Sequence, residues 1–214
     1  MSGPPPALTE SSGSRRLGRG GAPQPPGPRR EAILTAALEL FRQRGFHSVG
    51  IDEIGTSAGI SGPGVYRHFP SKSSLLVALF DGLSERMLAA AEDIQKIDGP
   101  PEETLDRLVD FHVATAVTER ALLAVWQQDA QSLPRSDQER IRDRQIAYNA
   151  VWEATLARLR PELSPGEAHT VVHAALGAIN SIAFHDTRLP PEVLEALLGG
   201  AARAVLAGQP EPGT

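Results

Sequence analysis

His169 and His173 stand four residues apart in a chain of 214 residues with six histidines and no cysteine. On a helix that spacing puts both imidazoles on one face, where they can hold zinc. His112, His185, Asp186 and Glu167 are the candidates for further ligands. The stretch from His169 to His173 contains no glutamate to serve as the base of a metalloprotease, however, and nothing in the spacing fixes a third ligand. The lack of cysteine removes thiolate nucleophiles, disulfides and Cys-type zinc sites. No phosphate-cradling glycine loop and no nucleophile triad stand out, so no catalytic residue and no cofactor is assigned. A helical enzyme or metal-binding protein using His169 and His173 stays as the alternative reading. A second group offers different chemistry. The Tyr66 hydroxyl, a His68 ring N–H and the Lys72 ammonium are all donors suited to a phosphate oxygen.

The elements around that second group are short helices. Ile33, Ala36, Ala37, Leu40 and Phe41 form one amphipathic stripe that Gly45 stops. Ile51, Ile54 and Ala58 give a second helical period, and Val65 and Phe69 a third. Between the last two lies Ala58-Gly59-Ile60-Ser61, with Gly59 for a left-handed residue and Ser61 placed to cap the next helix. Two short helices joined by such a turn form a helix-turn-helix, whose second helix enters a major groove. With Val65 and Phe69 facing inward, Gly62, Pro63, Gly64, Tyr66, Arg67 and His68 lie on or near the outer face, which carries no acid. Gly62 and Gly64 each cost roughly 1 kcal/mol against Ala in a helix interior. They read either as a close backbone approach to the groove, with amides offered to a phosphate, or as a loop-like helix start. Charge segregates accordingly. Residues 1–72 hold nine Lys or Arg against five Asp or Glu, a net of +4 in a chain of −5, so the remainder carries −9. Such asymmetry is expected where one part of a molecule meets phosphates.

The segment from Arg30 to Phe80 resembles the DNA-binding domain of the tetracycline-repressor (TetR) family of bacterial transcriptional regulators. The resemblance lies in Ala37-x-x-Leu40-Phe41-x-x-x-Gly45-Phe46, Ile51-x-x-Ile54, Ala58-Gly59-Ile60-Ser61, Val65-Tyr66-x-His68-Phe69-x-x-Lys72 and Leu75-Leu76. It implies that Tyr66, His68 and Lys72 hold DNA, with Pro63 and Gly64 nearest the base edges; Arg67 faces either the groove or the neighbouring helix. One departure stands out. Family members usually place Thr or Ser before the second helix, where this chain has Val49-Gly50, so only the Gly50 amide or nearby Ser48 is left to meet a phosphate. No bidentate base code between Gly62 and Arg67 names an operator.

Beyond Pro70 the sequence reads as helices throughout, without strand-like alternation, giving an all-α protein. Ser71 is the expected N-cap of a helix carrying Leu75, Leu76, Leu79, Phe80 and Leu83 and ending near Lys96. Ser136-x-x-Glu139 and Ser164-x-x-Glu167 read as capping boxes, predicting helix starts just after each serine. The expected organisation is a disordered Pro/Gly-rich basic arm over 1–29, a three-helix helix-turn-helix domain over 30–76, a ligand-binding and dimerisation domain over 77–207, and a disordered tail over 208–214. Arg15, Arg16 and Arg19 in the arm either sit in solvent or reach along the DNA. The resemblance implies a small-molecule pocket between the middle helices and a dimer through the last two. Small residues at Ala174, Ala175, Gly177, Ala178, Ser181, Gly199, Gly200, Ala201, Ala202 and Ala204 independently permit close helix packing, either between subunits or within one. Phe111, His112, Thr115, Trp126, Tyr148, Trp152 and Asn180 are the pocket candidates; each alone reads as core as readily as ligand contact, and together they suggest a largely apolar effector with a few polar handles, such as an acyl chain or acyl thioester. The reading is thus a homodimeric repressor of a pseudo-palindromic double-stranded operator, released by a small molecule. No run of about 18 apolar residues spans a membrane, and no apolar signal-peptide core follows the N-terminus, which predicts a cytoplasmic protein.

Overall fold

The computed structural model describes residues 27–208, and among them it contains nine α-helices and no strand. The arm through residue 26, including Arg15, Arg16 and Arg19, and the tail from 209 lie outside the described residues. Helix α1 (Pro28–Arg44) starts inside the expected arm, with Pro28 in its first turn where no amide donor is needed. Gly45, at φ +76°, stops it and donates its N–H to the Phe41 carbonyl at 2.8 Å. A 3-10 turn over Phe46–Ser48 leads to α2 (Ile51–Ser57) and then α3 (Gly62–Tyr66). Gly59 takes the left-handed conformation expected of it, at φ +70°.

Helix α4 (Lys72–Gln95) is capped by Ser71, whose Oγ accepts from the Ser74 N–H at 3.1 Å. At 24 residues it is about 36 Å long. It is followed by α5 (Pro101–Thr118), α6 (Arg120–Asp129), α7 (Arg135–Leu159), α8 (Pro165–Asn180) and α9 (Pro191–Ala207). The capping box at Ser164 forms: its Oγ accepts from the Glu167 N–H, and the Glu167 carboxylate accepts from the Ser164 N–H at 2.8 Å. The one expected at Ser136 does not. Helix α7 begins two residues earlier, because the Pro134 carbonyl accepts from the Asp137 and Gln138 amides and Pro134 serves as the N-cap. Glu139 pairs instead with Arg135.

Two apolar clusters organise these helices. The first joins Ile33, Ala37 and Phe41 of α1 to Ile54, Val65, Phe69 and the α4 residues Leu75, Leu76, Leu79 and Phe80. It does not close on itself, since Leu122 and Val125 of α6 and Ile141 of α7 complete it. The second is built from α5, α7, α8 and α9 around Trp152, Leu108, Leu156 and Ile179, and Ala91 of α4 is buried in it. Helix α4 therefore belongs to both, and α6 docks against the N-terminal head.

Helices α8 and α9 pack on each other and leave one face uncovered. Thr170, Ala174 and Gly177 on α8, and Val193, Leu197, Gly200, Ala201 and Ala204 on α9, are exposed at helical spacing, with Leu197 58% exposed. Nearby Phe184 is 70% exposed and Leu189 is 47% exposed. No helix among the described residues is long and apolar enough to cross a membrane.

Candidate functional site

Ser61 caps α3 by accepting from the Gly64 N–H at 3.3 Å. With Val65 and Phe69 buried, Pro63, Tyr66, Arg67 and His68 are presented to solvent, and Tyr66 is 54% exposed. No Asp or Glu lies between Gly55 and Phe80 to oppose an anion there. Gly62 and Gly64, expected on or near that outer face, are buried instead. A Cβ on Gly62 would fall 1.8 Å from an Asp52 carboxylate oxygen, and one on Gly64 would fall 3.3 Å from the Ser61 Oγ. The smallness of Gly62 serves the packing of α3 on α2, and that of Gly64 the packing of α3 on the turn at Ile60 and Ser61. Gly55 does the same from the other side, where a Cβ would stand 3.0–3.1 Å from the backbone of Ile60, Ser61 and Gly62.

Lys72 and Gly50 also differ from a free anion-binding surface. The Lys72 ammonium donates to the carbonyls of Phe46 at 2.7 Å, Val49 at 2.9 Å and His47 at 3.3 Å, and lies 4.5 Å from the centre of the Phe46 ring. All three of its protons are thus engaged, and it fastens the α1–α2 connection to the start of α4. The Gly50 N–H donates to Glu53 at 2.8 Å, and Glu53 in turn pairs with Arg44 at 2.8 Å. Those charge-assisted bonds hold the Glu53 carboxyl below its ordinary range, the Arg44 contact contributing most.

Behind the head, a cavity of about 290 Å³ opens between α4, α5, α6, α7 and α8. Phe80, Leu83, Met87, Leu123, Trp126 and Leu176 supply its apolar wall. The polar wall centres on His112, whose Nδ1 is 2.8 Å from the Tyr148 hydroxyl and whose Nε2 is 3.1 Å from Asn180 Oδ1. A carbonyl oxygen only accepts, so Nε2 carries the proton and Nδ1 accepts from the Tyr148 O–H. Burial, opposed in part by the Asn180 bond, pushes His112 down to about 4, so the ring is neutral near pH 7. Burial likewise pushes the Tyr148 phenol up.

Of the pocket residues expected from sequence, His112, Thr115, Trp126, Tyr148 and Asn180 line this cavity. Phe111 does not, because it lies about 90° round α5 from the face that carries His112, Thr115 and Ala116. Trp152 is fully buried and supports the wall from behind, edge-on to the His112 ring at 5.9 Å. Sequence reasoning missed Arg144, Gln145 and Asn149. Arg144 and Gln145 lie four and three residues before Tyr148 on α7 and Asn149 lies four after Gln145, and that periodicity was the available signal. The metal-ligand candidates disperse: Glu167 caps α8, His112 stays within the cavity, and His185 and Asp186 lie past the end of α8 beside the Arg120 guanidinium.

Residues 33–79 match the tetR family of bacterial regulatory proteins, and residues 98–184 match the tetracyclin repressor-like C-terminal domain. The chain belongs to the TetR family. Its members and relatives are transcriptional regulators, not enzymes. The transcriptional activator FasR of Mycolicibacterium smegmatis is 34% identical over 104 residues, 45% of this chain and 46% of that one. This TetR-family chain spans about half the length of the curated relatives it first matches. Its fold is also that of a TetR-family regulator from Bordetella parapertussis, with a TM-score of 0.76 at 20% identity over 85% of this chain and 96% of that one. The structure of AibR in complex with isovaleryl coenzyme A and operator DNA gives a TM-score of 0.67 at 21% identity over 80% of this chain and 96% of the other.

Proposed function

We propose that this TetR-family protein is a cytoplasmic transcriptional repressor that binds a pseudo-palindromic operator as a homodimer and releases it when a largely apolar small molecule fills the cavity. The observation that carries this reading is the shared wall between head and cavity. Helix α6 turns Leu123, Trp126 and Gln127 to the cavity and Leu122, Val125 and Asp129 to the head. A ligand that displaces α6 therefore acts on the head's own core. Whatever weakens DNA binding in this way must itself bind less tightly to the DNA-bound protein.

On this reading Pro63, Tyr66, Arg67 and His68 meet the DNA directly. Tyr66 and His68 donate to phosphates, while Ser61, Gly64, Gly50 and Lys72 keep α3 and the α2 start in shape to be read. Two chains are needed, because one five-residue helix reaches few base pairs. The uncovered α8–α9 face, with Leu197 and the small residues around it, is the surface through which a second copy would pair into a four-helix bundle.

The cavity favours a neutral polar group on an apolar body. His112 is uncharged near pH 7, and Arg144 is already paired with Asp81, which Arg140 also holds. Arg140 is further compensated by Asp137. Among the described residues that line the cavity no unpaired Lys or Arg waits for a carboxylate, whereas the His112–Tyr148–Asn180 chain can exchange a hydrogen bond with a carbonyl. An acyl thioester joins those properties, and isovaleryl coenzyme A bound to AibR belongs to that class. The test is fluorescence anisotropy on a duplex from upstream of the protein's own gene, with and without short acyl thioesters. Loss of DNA affinity with rising thioester supports the reading. Affinity unchanged by every compound that demonstrably binds the cavity would leave a ligand-blind DNA binder.

A further inference from the structure

Glu153 on α7 and His169 and His173 on α8 converge at the surface. One ligand atom from each lies within 4.8 Å of the other two, close enough together to hold a single metal ion. The two imidazole centroids are 4.3 Å apart, and His169 Nδ1 is 2.8 Å from Glu153 Oε1. The backbones beneath are fixed: Ala168 and Val172, which flank the histidines on α8, are buried in the C-terminal core, as is Trp152 beside Glu153. Asn149, itself buried, donates from its amide nitrogen to His173 Nε2 at 3.2 Å and sets that ring's position.

We propose that Glu153, His169 and His173 form a binding site for a divalent transition cation of the zinc class. Two imidazole nitrogens and one carboxylate oxygen are a donor set that zinc accepts, with a fourth position left to water, and imidazole selects it over magnesium or calcium. In a tetrahedral zinc site neighbouring ligand atoms sit about 3.4 Å apart, so closure needs only side-chain adjustments: the cation takes the place of the proton between His169 and Glu153, and the proton that the Asn149 contact leaves on His173 Nδ1 moves to Nε2 as the Asn149 amide turns over to accept it. The third ligand comes from the neighbouring helix, sixteen residues before His169, which explains why no spacing within α8 revealed it. The site also touches the effector cavity, because His173 and Asn149 line both. Cation and cavity ligand are therefore expected to alter each other's affinity.

The test uses tag-free full-length protein stripped with a chelator and titrated with Zn²⁺ by calorimetry, with Co²⁺ absorption reporting coordination. The expected result is one cation per chain and the visible absorption of a four-coordinate Co²⁺ site. H169A, H173A and E153Q should each weaken binding by more than about tenfold. Both histidines are exposed, so the variants should fold, and unchanged circular dichroism and melting without metal check this. Zn²⁺ should raise the melting temperature of the wild type but not that of the H169A/H173A double variant. Wild-type binding no tighter than that of the double variant overturns the proposal. Binding by E153Q equal to wild type also overturns it, reducing the feature to a surface histidine pair.

Discussion

Single side chains in this protein divide between those that face outward to act and those that hold the actors still. Tyr66 belongs to the first kind, and Tyr66→Ala is expected to weaken operator binding by about 1–3 kcal/mol, read by anisotropy, while leaving the melting temperature unchanged because the ring is more than half exposed. Lys72 belongs to the second. Lys72→Ala should lower both stability and DNA affinity, since three carbonyls lose their donor. His112 makes a prediction about pH. Its native value near 4 lies below the ordinary 6.5, so between those values the unfolded chain binds a proton that the native one refuses. Stability from this group is complete above about pH 6.5 and is lost as pH falls towards 4, on the order of 3 kcal/mol in all. Chemical denaturation of His112→Gln across that range should show a correspondingly flatter dependence; an unchanged slope would mean that other groups carry the acid response.

Among the elements, α6 has the most consequential position. Its last residue, Asp129, is buried and accepts from the Phe46 N–H at 3.1 Å, and Ser132 just beyond lies 3.0 Å from His47 Nε2. Asp129→Ala leaves a buried backbone donor unsatisfied and is expected to cost about 1–3 kcal/mol. It should also reduce the effect of cavity ligands on DNA binding, which the ratio of DNA affinities with and without thioester measures. How far such elements were legible depended on the range of the forces that set them. The starts at Ser71 and Ser164 were readable because a cap is satisfied within four residues. The start at Ser136 was misplaced because Pro134 offers an overlapping local solution. The all-α fold and the turn at Gly59 were plain from periodicity and glycine chemistry. Lys72 bridging back to Phe46, and Asp129 reaching Phe46 across 83 residues, leave no local trace. Arg144 was passed over because an arginine on a long charged helix reads as a solvated face until its partner Asp81 is seen.

At the scale of the whole molecule, the charge segregation and the two clusters describe a basic head joined to an acidic body by α4 and α6. Assembly is the property the isolated chain only suggests, through the uncovered α8–α9 face. Leu197→Asp, which places a charge on that face, should turn a dimer into a monomer in analytical ultracentrifugation and reduce operator affinity, since one head would then bind alone. The most direct measurement of the central proposal is a salt-dependent anisotropy titration of the wild type and Tyr66→Ala on the protein's own upstream duplex. The account predicts two chains per operator, affinity that falls steeply with salt, and clear weakening in the variant. A protein that ignores the duplex at low salt, or a Tyr66→Ala variant that binds as the wild type does, would contradict it.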